Sequence, residues 1–122
     1  MTYSITFSED KSFIILHVQG ELTREMAMQF NIEAHQLGKK MGIKRYLVDL
    51  SQAVNVESVM ENYNFAYKDM VEVPSIDRTA IVAMLVSPDD HSHDFIETLS
   101  INTGLNVRLF RDRDAAMKHI ML

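Results

Sequence analysis

The densest run of chemically capable side chains is Asp89-Asp90-His91-Ser92-His93-Asp94, where two imidazoles sit among three carboxylates. Such a set could ligate a divalent metal or act as a general acid and base. Spacing argues against both. On a helix, His91 and His93 would point roughly 200° apart at ~100° per residue. Asp and Ser beside a helix start are instead expected to cap its free N–H groups and suit its dipole. Asp49, at the end of an apolar strand, is the other carboxylate in a catalytic-looking position. It is expected to accept N–H bonds from the following loop, as in an Asx turn. His17, His35 and His119 have no partner nearby in the sequence. No phosphate-cradling glycine loop, nucleophile elbow or zinc-protease helix occurs, and Ser87-Pro88-Asp89 lacks a triad partner. No catalytic residue, metal ligand or cofactor is therefore assigned.

The elements that would position these groups follow from periodicity. Tyr3, Ile5 and Phe7 alternate, as do Ile14, Leu16 and Val18, which predicts a β-hairpin closed by Gly20. Thr23 is the expected N-cap of a helix whose inward face is Met26, Phe30, Ala34, Leu37 and Met41, with Gly42 as C-cap. Tyr46–Leu50 reads as a strand buried on both faces. A second helix, from about Val56, would carry Val59, Met60, Tyr63, Tyr67 and Met70 along one broad face and end before Pro74. Thr79–Val86 is the clearest central strand. Ser87-Pro88-Asp89-Asp90 ends it, and a helix follows with Phe95, Ile96 and Leu99 inward. Gly104 precedes a last strand, Val107–Phe110, and Asp112 starts a final helix facing Ala116, Met117 and Ile120 to the core. The order β-β-α-β-α-β-α-β-α implies an α/β fold: a mixed sheet of about five strands, an N-terminal hairpin plus parallel crossovers, with about four helices.

Composition narrows the function classes. One domain spanning residues 1–122 is expected, with 47% apolar and 24% charged residues and no cysteine. A chain this long buries enough surface to stand without metal or disulfide. The missing cysteines remove disulfides, thiolate zinc sites and a cysteine nucleophile. The N-terminus lacks a signal-peptide core and the longest apolar run, Ala80–Val86, is too short to span a bilayer, so a cytoplasmic protein is expected. Net charge is −5 and the basic residues are scattered, which excludes a nucleic-acid partner. Nine methionines suggest a soft core or an adaptable apolar cavity. Tyr63, Phe65 and Tyr67 cannot all face inward on a regular helix, so at least one is expected at a groove or interface.

The segment 46–60, YLVDLSQAVNVESVM, resembles the strand–loop–helix of STAS domains, the anti-sigma-factor-antagonist family. Asp49-Leu50-Ser51 matches the end of that family's strand. Glu57 stands where the family has Asp, and Ser58 matches the first serine of its Asp-Ser-Ser-Gly. Val59 replaces the usual phosphoacceptor and Met60 the glycine. A phosphate at that helix start would be stabilised by free N–H groups, and Val59 offers no hydroxyl to carry one. The GELTREM, AIVAMLV and LFRDRDAAMKHI segments add a resemblance to the SpoIIAA-like group, whose fold is related to CRAL-TRIO lipid-binding domains. These resemblances imply a non-enzymatic module that binds a protein partner or a small apolar ligand. The binding surface would lie at the C-terminal ends of the parallel strands, at Asp49, Ser51, Asn55, Ser58, Ser87 and Asp89, with Tyr63 and Tyr67 on the adjacent helix. An apolar helix face or edge strand also leaves a homodimer open.

Overall fold

In a computed structural model, which describes residues 2–121, the alternating segments form the hairpin β1 (Thr2–Phe7) and β2 (Ile14–Leu22). Ser8 shapes its turn by accepting the N–H of Ser12 at 3.0 Å and of Phe13 at 3.2 Å. Strands β3 (Arg45–Asn55), β4 (Ile81–Val86) and β5 (Asn106–Phe110) follow. The sheet runs β1-β2-β3-β4-β5, antiparallel between β1 and β2 and parallel thereafter. Four helices complete it. They are α1 (Arg24–Met41), α2 (residues 59–72), α3 (Asp94–Asn102) and α4 (Arg113–Met121). Helix α2 opens as Val59–Asn64, widens into a π turn at Phe65–Asp69 and ends with Met70–Glu72. This is the mixed five-stranded, four-helix α/β architecture that the periodicity predicts.

Three parallel crossovers step in one direction across the sheet, so right-handed connection places α1, α2 and α3 on one face. Burial agrees. Ile14, Leu16, Val18, Tyr46, Val48, Leu50 and Met84 share a cluster with Phe30, Ala34, Ala66, Met70, Ile96 and Leu99. The other face of β3 and β4, with Leu47, Ala83 and Leu85, packs against Ala116 and Ile120 of α4. Toward the outer ends of β1 and β2 this second face turns polar, with Thr2 and Ser4 opposite Gln19 and His17, while Ile15 packs against the apolar cluster.

Gly38 shows how closely α1 lies on the sheet. A Cβ there would meet the Tyr46 hydroxyl at 1.9 Å and the Ile43 carbonyl oxygen at 2.8 Å. Capping follows the expected chemistry: Thr23 Oγ1 accepts from Met26 N–H at 3.3 Å, and Gly42 takes the left-handed conformation at φ 71°.

Several expectations are corrected. Strand β3 continues past Leu50 to Asn55, with Gln52–Asn55 pairing Gln19–Leu22 beyond a bulge, so β2 likewise runs through Gly20. The polar Ser51-Gln52 pair hid this, because a bulge breaks the period-2 pattern. Helix α1 buries Ala27, Phe30, Ala34, His35 and Gly38, a face rotated from the one drawn through Met26 and Met41. Helix α2 starts at Val59 rather than Val56, and it buries Asn62, Ala66 and Met70 while Val59, Met60 and Tyr63 face solvent. Phe95 is exposed, whereas Ile96 and Leu99 are buried.

Candidate functional site

The polar run 89–94 is pulled apart by the geometry that its spacing implies. His93 is wholly buried, while the His91 side chain is 71% exposed. His91 Nδ1 lies 2.8 Å from Asp94, whose other oxygen accepts from Arg111 at 2.9 Å. The capping expectation fails here: His93 occupies the N-cap of α3 and no side chain closes that end. Ser92 instead accepts the N–H of Asn55 at 3.0 Å, and Asp90 accepts the N–H of Ser92 at 2.8 Å. These residues tie the β4–α3 loop to the end of β3. Among the described residues, no group of three or more His, Asp and Glu is arranged to hold a metal.

Asp49 lies on the sheet's second face. Its carboxylate accepts from Ser51 N–H at 3.0 Å and Ser51 hydroxyl at 2.6 Å, which is the expected Asx arrangement. It also gives His17 the partner that sequence could not show, at 3.3 Å, with Arg113 at 3.8 Å. Burial would raise this carboxyl, but the bonds from Ser51 and His17 outweigh it and hold it below the usual carboxylate range.

The eight residues expected at the strand ends divide into separate surfaces. Ser51, Ser87 and Asp89 line a shallow, open depression with Gln52, Val54 and Asp90. Asn55 turns the other way, donating to Asn62 Oδ1 at 2.8 Å and accepting Glu57 N–H at 3.0 Å. Ser58 is the N-cap of α2 and accepts Glu61 N–H at 3.1 Å. Tyr63 stacks on Tyr67 at 4.5 Å and 20°, with Tyr63 exposed and Tyr67 packed against the core. Ahead of this pair, Val59 is 70% and Met60 64% exposed, with Val56 exposed just before them in the chain. Together with Tyr63 they make four exposed side chains at one strand-to-helix corner, an unpartnered surface of the kind that interaction sites use.

Beneath α2 lies the second candidate. A cavity between the first sheet face and helices α1, α2 and α3 offers about 90 Å³ to the centre of a water-sized sphere. That is roughly six to nine times the minimum for one water. Its walls are mostly carbon, from residues such as Phe30, Leu50, Phe65, Met70, Met84 and Ile96. Thr23, Arg24, Asn55 and Glu57 form its polar end. There Arg24 forks onto Asp69 at 2.7 and 2.9 Å and reaches Glu61 at 3.3 Å, while its N–H donates to Glu57 at 2.7 Å. These bonds join the first turn of α1 to α2. Two buried imidazoles also line the cavity. His35 stacks on Tyr46 at 4.7 Å and accepts Asp77 N–H at 2.8 Å, and burial pushes it down to about 4. His93 places Nε2 3.0 Å from the Ala53 carbonyl, and its Nδ1 has no partner.

With this geometry in view, the chain can be compared with known proteins. No protein-family model and no curated protein sequence matches it. Solved structures do. An anti-sigma factor antagonist from Mycobacterium paratuberculosis superimposes with a TM-score of 0.60 at 13% identity, over 99% of this chain and 94% of that one. An uncharacterized protein with a SpoIIAA-like fold from Shewanella loihica PV-4 gives 0.55 at 16% identity, over 98% and 92%. The anti-sigma factor antagonist SpoIIAA in its unphosphorylated form gives 0.55 at 9% identity, over 98% of each chain. The fold is SpoIIAA-like.

In this SpoIIAA-like frame, the motif positions Ser58, Val59 and Met60 stand at the exposed entrance to α2. Sequence reasoning missed Arg24 and Asn62 as site-forming residues, and weighed His93 only as a metal ligand or acid–base group. A signal existed for two of them: Asn62 and His93 are polar residues at positions where the neighbouring helical period calls for an apolar one. Arg24 gave none, since its partners lie 33 to 45 residues away. Among the described residues, no helix is long and apolar enough to cross a membrane.

Proposed function

We propose that this domain is a non-enzymatic regulatory module that docks a protein partner on the strand-to-helix corner at Val56, Val59, Met60 and Tyr63. The observation that carries the reading is the 70% exposure of Val59 and 64% of Met60, at the very corner where the resemblance to STAS domains puts a phosphoacceptor and a glycine. A largely apolar corner with no hydroxyl at position 59 suits constitutive contact with a hydrophobic groove rather than contact governed by a phosphate. Aromatic residues and methionine are also enriched where partners are held. Ser58 is engaged as the N-cap, where its hydroxyl accepts Glu61 N–H at 3.1 Å. The SpoIIAA-like fold supports the same reading, because proteins named as anti-sigma factor antagonists share it.

A photo-crosslinking amino acid at position 60, compared with one at Lys40 in α1, tests this in cells. The reading expects one protein to be captured from position 60 alone, and to be lost when Val59→Glu is added. Identical capture from both positions would overturn it.

A further inference from the structure

Among the described residues, three buried side-chain nitrogens lack a hydrogen-bond partner: His93 Nδ1, Arg111 Nε and His119 Nε2. Only His93 lines the cavity. An unpaired polar atom in a buried position is costly, so it calls for a specific account. The chemistry of the ring narrows that account. The Ala53 carbonyl can only accept, so Nε2 at 3.0 Å must carry the hydrogen and donate. Asp90 Oδ2, 3.4 Å away, faces the same Nε2–H, and in the tautomer with that single hydrogen Nδ1 is a bare acceptor. A water is a poor occupant, because it needs two to four polar partners and the surrounding wall is mostly carbon. Three other polar lining side chains are already engaged: Asn62 with Asn55, His35 with Asp77 N–H, and Asn31 with the Ala27 carbonyl.

We propose that the cavity beneath α2 binds a small, neutral, largely apolar molecule that donates one hydrogen bond to His93 Nδ1. The free volume suits an occupant on the order of six to nine non-hydrogen atoms, the size of a one- or two-ring aromatic with a hydroxyl or ring N–H. Met70 and Met84 supply flexible thioether walls that adapt to such a shape. The π turn at Phe65–Asp69 brings Phe65 to the lining while Asp69 holds Arg24 at the polar end. Widened turns of this kind recur at functional sites. The site lies on the inner side of α2 and stands independently of the partner surface on its outer side.

Indole and indene test the proposal, since they match in shape and only indole has a ring N–H. Nuclear magnetic resonance titration of the full-length protein would follow the His93 ring and the cavity methyl groups. Indole should bind about tenfold or more tightly than indene, with a shift of the His93 Nδ1 signal. The His93→Phe variant should erase that preference, and Ala80→Val, at the cavity wall, should weaken both ligands while leaving the amide spectrum folded. Equal binding of the two probes, or saturation of neither at their solubility limits, overturns the proposal. So does a water resolved on Nδ1 in a structure soaked with indole.

Discussion

The two faces of the sheet are packed by different rules. On the second face one helix, α4, presses onto Leu47 and Ala83, and both of those residues as well as Ala116 and Ile120 have 0% exposure. Alanine at Ala83 and Ala116 lets helix and sheet approach closely, and the cluster is purely apolar. On the first face three helices arch over the strands, two buried imidazoles replace apolar side chains, and about 90 Å³ stays unfilled. Interiors are ordinarily packed as densely as organic crystals. The tight face therefore carries stability for its size, and the loose face gives some up, as binding regions commonly do.

Truncation on each face is the strongest way to break that contrast. Leu47→Ala leaves a void in rigid surroundings and should cost about 3 to 4 kcal/mol. Met84→Ala borders space that already exists, and the flexible Met70 can move toward it, so the cost should be about 2 kcal/mol. Chemical denaturation of the two variants measures both. Equal losses, or a larger loss at Met84, would show that the cavity face is as well packed as the other.

The pH dependence of stability sharpens the same contrast. His35, on the loose face, is depressed to about 4, first by burial and then by Lys39, with Asp77 opposing. A base whose folded value lies below its free value of about 6.5 binds protons more readily when unfolded. Its contribution is thus fully present above about pH 6.5 and is lost as pH falls toward 4. Between pH 7 and pH 5 the loss should be about 2 kcal/mol. His119 on α4 is lowered too, by burial and then Arg108, and it adds loss of the same sign from the other face. A His35→Gln variant separates them, because its stability should fall by clearly less over that interval. An unchanged slope would mean that His35 is not held in its neutral form by the fold.

What the sequence made legible follows the physics of each signal. Strand–helix alternation, Thr23 and Gly42 as caps and the Asx turn at Asp49 are local, so they could be read from neighbours. The bulge at the end of β3 could not, since register with β2 is a property of two distant segments. Helix faces failed for a related reason. On α1 the inward position went to Gly38, which has no side chain to announce it, and to His35, which stacks on Tyr46. On α2 the expected apolar face splits, with Val59, Met60 and Tyr63 outside and Met70 inside. The site was less legible: the eight residues expected on one strand-end rim fall on separate surfaces, and the cavity depends on contacts between residues 24 and 69 and between 53 and 93.

Helix α2 is where the two packing rules meet a third condition, an apolar face with nothing on it. If Val59 and Met60 contribute nothing to the core, the double change Val59→Glu and Met60→Glu should alter stability by no more than about 0.5 kcal/mol, as for ordinary surface positions. A glutamate in the first turn also suits the positive end of the helix dipole, which offsets any small loss. On the inner side of the same helix, Ala66 has 0% exposure, and Ala66→Glu should unfold the domain by burying an unpaired charge. Thermal unfolding followed by circular dichroism reads both variants. A loss of more than about 1.5 kcal/mol in the double variant would mean that the outer face is held by the fold itself. The corner would then be part of the core's support, and its apolar character would need no partner to explain it.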